Sequence, residues 1–203
     1  HAVFSMTTAG VERVNAAAAT RFSADVLGTT QTPILVTAST TAYNPTGDPG
    51  GAGGRRWGDY SYVSLDPLDE MTMWAVNQYC SGTNVYGCNV TKLLAPPPAT
   101  PATTLPNNTA PGQSSVNIVV TGTSASGSGF YDPGADLASP ALPFNHITAT
   151  VSGGVTVNSV TYNSPTQVTL NISTVGAPQG AKNITIINPD GQSLTGNGIF
   201  SVL

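Results

Sequence analysis

Charge is what this sequence has least of. Only 8% of its 203 residues are Asp, Glu, Lys or Arg, where an ordinary soluble domain carries about a quarter. Six basic residues face ten acidic ones, for a net charge of -4. With a pI near 4.7 there is no basic face to neutralise phosphates, which excludes nucleic acid as a partner. No apolar run reaches the ~18 residues that mark a membrane-spanning helix. A Gly-rich phosphate loop, a metal-spaced set of His and Cys and a nucleophile elbow are all missing, so neither a cofactor nor a triad enzyme is expected. The opening His1-Ala2-Val3-Phe4-Ser5-Met6 has no initiator Met and no signal peptide, the look of a processed product or an excised piece of a longer precursor.

Cysteine is scarce too. The two present, Cys80 and Cys88, bound the turn-rich segment Cys80-Ser81-Gly82-Thr83-Asn84-Val85-Tyr86-Gly87-Cys88, whose ends are expected to meet in a disulfide. Closing so short a loop removes roughly 2–3 kcal/mol of unfolded-chain entropy and places the chain outside the cytoplasm; two free thiols are the alternative. A metal site there would need further His or Cys close by, and none is local.

In place of charge, Ser, Thr, Asn, Gly and Pro fill the polar positions, with 22 Gly and 16 Pro. Asn-x-Ser/Thr triplets at Asn89, Asn107, Asn171 and Asn183 permit glycosylation without arguing for it. The length suits two domains. Between them stands Ala95-Pro96-Pro97-Pro98-Ala99-Thr100-Pro101 and a Thr/Asn/Pro-rich tract. Proline fixes φ and withholds an amide donor, so residues 96–113 are expected to be an extended linker between a domain at 1–95 and a second at 114–203.

Downstream of it, residues 116–122, 147–151, 155–162, 167–172, 183–187 and 198–202 alternate apolar with polar residues and end at turn formers, the pattern of half-buried strands. Asn188-Pro189-Asp190-Gly191 is a tight-turn signal. The stretch Val119-Val120-Thr121-Gly122, then Gln179-Gly180-Ala181-Lys182-Asn183-Ile184-Thr185-Ile186, the Asn-Pro-Asp-Gly turn and the closing Phe200-Ser201-Val202 resemble the IPT/TIG immunoglobulin-like family. The resemblance implies an Ig-like β-sandwich and says little of function. An insertion at 124–144, longer than that family's usual connection, is a place for a site peculiar to this chain.

Upstream, strands are expected at 2–7, 18–23, 34–38, 61–65 and 71–78, with a loop across 43–54. Arg56-Trp57-Gly58-Asp59-Tyr60-Ser61, Asp66-Pro67-Leu68-Asp69 and Thr72-Met73-Trp74 resemble the final blade of sialidase-like secreted β-propellers, and Ser64-x-Asp66 with Thr72-x-Trp74 is similar to their Asp-box turn. A propeller needs at least four blades of four strands. The fold class expected is therefore all-β: a propeller-derived or independent β domain followed by an IPT/TIG-type sandwich.

Clustered carboxylates suit glycoside hydrolysis or Ca²⁺, which makes Asp66, Asp69 and Glu70 weak Ca²⁺ candidates. The preferred reading gives Trp57, Asp59, Asp66 and Trp74 a structural role in pinning strand ends. Arg55 and Arg56 could face a sugar carboxylate but suit a stacked, salt-bridged pair better. His146 reads as a strand-entry residue, and His1 offers an α-amino group and an imidazole to copper. Trp57, Tyr60 and Tyr62 are the tentative binding residues; Tyr43, Tyr79, Tyr86, Phe130 and Tyr131 add further rings for stacking on sugars. The expected function is a non-catalytic extracellular structural or adhesive module, a subunit of a surface layer or filament whose edge strands self-associate. A carbohydrate-binding accessory region of a glycan-active enzyme is the alternative, and a sialidase-like hydrolase fragment the third. Partners are then another copy of the chain or a cell-surface glycan.

Overall fold

The structure, a computed structural model, describes residues 1–46, 57–138 and 142–203. It is all-β, with no helix long and apolar enough to cross a membrane among these residues. The chain forms two compact units, one of residues 1–66 and 72–94 and the other of 67–71 and 95–203. Arg55, Arg56 and most of the loop expected at 43–54 lie outside the described residues.

In the first unit, β1 (Ala2–Thr7), β2 (Ala16–Arg21) and β3 (Ile34–Leu35) form one antiparallel sheet in that order. The second sheet is β4 (Tyr62–Leu65), β5 (Met73–Gly82) and β6 (Val85–Leu93). Two three-stranded sheets replace the four-stranded blade that the propeller resemblance implies. Ala16 to Ala19 are all buried, so β2 is covered on both faces and small side chains let its neighbours approach closely. Tertiary burial here overrides the helix preference of an Ala run. Buried amides tie this core together: Asn77 Nδ2 donates to Ser5 Oγ at 2.7 Å and to the Met6 carbonyl at 3.2 Å. Asn15 Oδ1 accepts from Thr37 Oγ1 at 2.9 Å and from the Ser39 amide at 2.6 Å.

The segment expected to be a disulfide-closed loop is instead a hairpin. β5 and β6 join through Thr83 and Asn84, and Asn84 takes φ of 60°, a left-handed conformation that Asn tolerates. Its register pairs Cys80 with Tyr86 and Cys88 with Gln78. The two cysteines are therefore diagonal neighbours, ~7–8 Å apart in an antiparallel pair and beyond disulfide reach. Both thiols are free, Cys80 buried and Cys88 exposed, and the compartment argument drawn from a bridge falls with it.

The second unit packs β10 (Thr148–Val151), β13 (Gly180–Ile187), β14 (Ser193–Val202) and β8 (Asn108–Thr109) in one sheet. The other runs β11 (Thr156–Ser164), β12 (Gln167–Ser173), β9 (Val116–Thr123) and β7 (Thr100–Leu105). Among the described residues only β8 and β14 run parallel. Alternate residues turn inward, among them Ile118 and Val120, Val168, Leu170 and Ile172, Ile184 and Ile186, and Phe200 and Val202, and build one core. The Asn188 to Gly191 turn closes the β13–β14 hairpin, with the Gly191 amide on the Asn188 carbonyl at 2.9 Å.

The tract at 96–113 is not a linker, since it supplies β7 and β8 and belongs to the second unit. The prolines are tolerated because β7 is the edge of its sheet, where one side of the strand has no ladder to complete. Pro101 sits opposite Gly122 beside a register shift. The insertion at 124–144 is held down by Phe130, which is buried on β9 where a Cβ at Gly122 would come within 2.7 Å of Phe130 Cζ. Asn188 adds a second hold: its Nδ2 donates to the Gly129 carbonyl at 2.9 Å and its Oδ1 accepts from the Tyr131 amide at 3.2 Å.

Candidate functional site

The first unit carries a cleft of about 320 Å³ lined by Tyr43, Trp57, Gly58, Asp59, Tyr60, Gln78 and Tyr86. Three separate stretches build it. Gln78 and Tyr86 come from neighbouring strands of the β5–β6 hairpin, Tyr43 from the segment after β3, and residues 57–60 from the approach to β4. Gly58 takes φ of 59°, which turns the chain between Trp57 and Asp59, and its amide donates to Gln78 Oε1 at 3.1 Å. That bond fixes the turn to β5.

Trp57 and Tyr43 meet edge to face, with centroids 4.7 Å apart and planes at 67°, a favoured aromatic geometry. The Trp57 indole Nε1 is buried with no hydrogen-bond partner among the described residues. A buried N–H left unpaired costs free energy, and this one belongs to a ring that lines the cleft. Tyr60, at 85% exposure, and Tyr86, at 60%, present rings to solvent at the cleft, and Asp59 and Gln78 supply polar atoms beside them. Four aromatic rings with a carboxylate, an amide and an indole donor can stack on sugar faces and hydrogen-bond hydroxyls.

Of the tentative binding residues, Trp57 and Tyr60 line the cleft. Tyr62 does not; it lies on β4 opposite Val76, 65% exposed. Gln78 escapes a reading of the sequence, because the antiparallel pairing of β4 with β5, in which Tyr62 lies opposite Val76, is what carries the chain ahead of β4 past Gln78. The proposed structural cluster divides into two places. Trp74 Nε1 donates to Asp66 Oδ2 at 3.0 Å, and Lys92 Nζ stands 5.9 Å over the Trp74 ring. Trp57 and Asp59 instead sit by Gln78, four residues further along β5, about 13 Å at strand rise. Asp66 and Trp74 thus meet between the end of β4 and the start of β5, while Trp57 and Asp59 line the cleft.

The Ca²⁺ candidates are not assembled as a ligand set. Asp66 is in the first unit, Asp69 and Glu70 in the second; Asp69 Oδ1 accepts from the Met71 amide at 2.8 Å and Glu70 Oε2 from the Tyr131 hydroxyl at 3.4 Å. No group of three or more His, Cys, Asp or Glu able to hold a metal occurs among the described residues. His1 packs edge-on against Phe22 at 5.1 Å.

The second unit has one further polar constellation. His146 Nδ1 lies 3.3 Å from both carboxylate oxygens of Asp132, and Nε2 lies 3.3 Å from Asp136 Oδ1. The same carboxylates accept backbone amides, Asp132 from Gly134 at 2.9 Å and Ile147 at 3.0 Å, Asp136 from Phe144 at 2.7 Å. Burial of the ring opposes its protonation, but the hydrogen bonds and charges of Asp132 and then Asp136 outweigh it, and the imidazole pKa is raised. His146 is the clasp of the insertion, just ahead of β10 as expected of a strand-entry residue. Burial, then Glu70, raises the Tyr131 hydroxyl, and burial, then Asp132, raises that of Tyr162.

No protein-family model, curated protein or solved structure matches the chain. The cleft's chemistry is therefore read from its own residues.

Proposed function

We propose that the chain is a non-catalytic adhesive β module that binds carbohydrate through the aromatic cleft of its first unit. The observation that carries this reading is the convergence of Trp57, Tyr43, Tyr60 and Tyr86 on one concave surface, where the Trp57 indole donor has no partner among the described residues. Stacked rings supply apolar contact for sugar faces, and Asp59 and Gln78 orient hydroxyls. The near-absence of charge and the wealth of hydroxyl and amide side chains support a place outside the cell, on a surface or in a secreted protein.

The hydrolase alternative draws less support. Glycoside hydrolysis uses two carboxylates flanking one bond, roughly 5–10 Å apart. Among the described residues only Asp59 brings a carboxylate to the cleft, while Asp66 is engaged by Trp74 and Asp69 by the Met71 amide.

A glycan array probed with the full chain tests the reading. Binding to one class of glycan is expected, reduced severalfold, up to about tenfold, by Trp57→Ala and by Tyr60→Ala, since losing a stacking ring removes about 0.5–1.5 kcal/mol. Tyr62→Ala, outside the cleft, should leave it unchanged. An array without a single hit, or hits indifferent to Trp57, would remove the proposal.

A further inference from the structure

β6 is a sheet edge without the usual protections. Among the described residues it pairs with β5 alone, so one side of a nine-residue strand offers its backbone N–H and C=O groups to a further strand. The other edge strands are blunted: β7 contains Pro101, β11 is broken by two register shifts, and β1, β3, β4, β8 and β10 run six residues or fewer. β6 has no Pro, no Asp and no Glu, and its pairing with β5 is regular from Tyr86 to Leu93. Its single charge, Lys92, is drawn back over the Trp74 ring. Val85, Tyr86, Cys88 and Val90 are all exposed. Strand alternation puts Tyr86, Cys88 and Val90 on one face.

We infer that β6 is a homodimer interface, pairing antiparallel with β6 of a second copy about a two-fold axis at Asn89. The occupant is fixed by self-complementarity. With Asn89 opposite Asn89, all nine residues are used: Val85 meets Leu93, Tyr86 meets Lys92, Gly87 meets Thr91 and Cys88 meets Val90 of the other copy. Apolar residues face apolar ones, the aromatic faces the lysine stem, and the amides meet each other. No like charges are opposed, the condition that otherwise destabilises directly opposed cross-strand pairs. Cys88 stands diagonal to Cys88 of the second copy, ~7–8 Å away, so the contact is non-covalent. Tyr86 also lines the aromatic cleft, and the dimer therefore brings two clefts to one interface, a bivalent arrangement that raises avidity for a repeating ligand. The dimer itself does not depend on what the cleft binds.

Sedimentation equilibrium of the full chain under reducing conditions is the test. The native chain should show a concentration-dependent monomer–dimer equilibrium. Val90→Lys, at a position 63% exposed, should weaken association about tenfold or more by setting two lysines into the interface while leaving the circular dichroism spectrum unchanged. Cys88→Asp combined with Val90→Lys should restore the dimer, because this register alone places the introduced carboxylate of each copy opposite the introduced lysine of the other. A native chain that stays monomeric in reductant, or a double variant that remains monomeric, overturns the proposal.

Discussion

At the scale of single residues, the second unit carries a pH-dependent clasp. His146 has its pKa raised in the fold above the ordinary 6.5. A group whose folded pKa is raised contributes stability that is fully present below the unfolded pKa and is lost as pH rises through the folded value. The second unit should therefore melt at its highest temperature below about pH 6.5 and at lower temperature as the solution becomes more alkaline through the raised pKa. The effect is small, because the imidazole is 41% exposed and solvent screens it. Thermal unfolding followed across this range in native and His146→Gln protein checks it: the slope should flatten in the variant, and an identical slope would assign it to another group. Residue chemistry is also where the site is most legible. Trp57 and Tyr60 stand out as rings in a sequence with few, but Gln78 is one amide among many. Its place at the cleft depends on how β4 pairs with β5 and on the Gly58 turn ahead of β4, which residue type alone does not reveal.

At the scale of elements, the downstream strands are legible because alternation is strong where one face is buried, as in Gln167 to Ser173, whose residues alternate between partly exposed and buried. Legibility ends where an element contradicts its own composition. Proline suggests a spacer at 96–113, yet an edge strand needs hydrogen bonds on one side only, and β7 forms there against β9. Two cysteines suggest a closed loop, yet Asn84 supplies the turn of an ordinary hairpin. Fragments of the second unit should behave accordingly. A chain beginning at Ser114 lacks β7 and β8, exposes the flank of β9 and loses the burial of Ala99 in the core. It should be unfolded or aggregated by circular dichroism and proton NMR, whereas a chain beginning at residue 95 should give dispersed amide signals. A well-folded 114–203 fragment would return the tract to the role of linker.

At the scale of the whole molecule, a chain poor in charge divides its tasks between two units with different interiors. The second is held by branched aliphatic and aromatic side chains such as Ile118, Leu170, Ile186 and Phe200. The first is held by Ala16 to Ala19 and Ala75, and by the buried amides of Asn15 and Asn77, which hydrogen-bond across it. A core of such small side chains leaves the large aromatic rings at its surface, and the cleft gathers four of them. The central claim is that this cleft binds carbohydrate. The chain has two tryptophans, and their indole N–H groups are in opposite states: that of Trp74 is bonded to Asp66 and that of Trp57 has no partner among the described residues. Two-dimensional nitrogen–proton NMR resolves both, with Trp57→Phe assigning them. On titration with cello-, xylo-, manno- and chito-oligosaccharides, the account predicts that at least one series moves the Trp57 indole signal saturably while that of Trp74 stays in place. A Trp57 signal unmoved by every series, or a shift confined to Trp74, would contradict it.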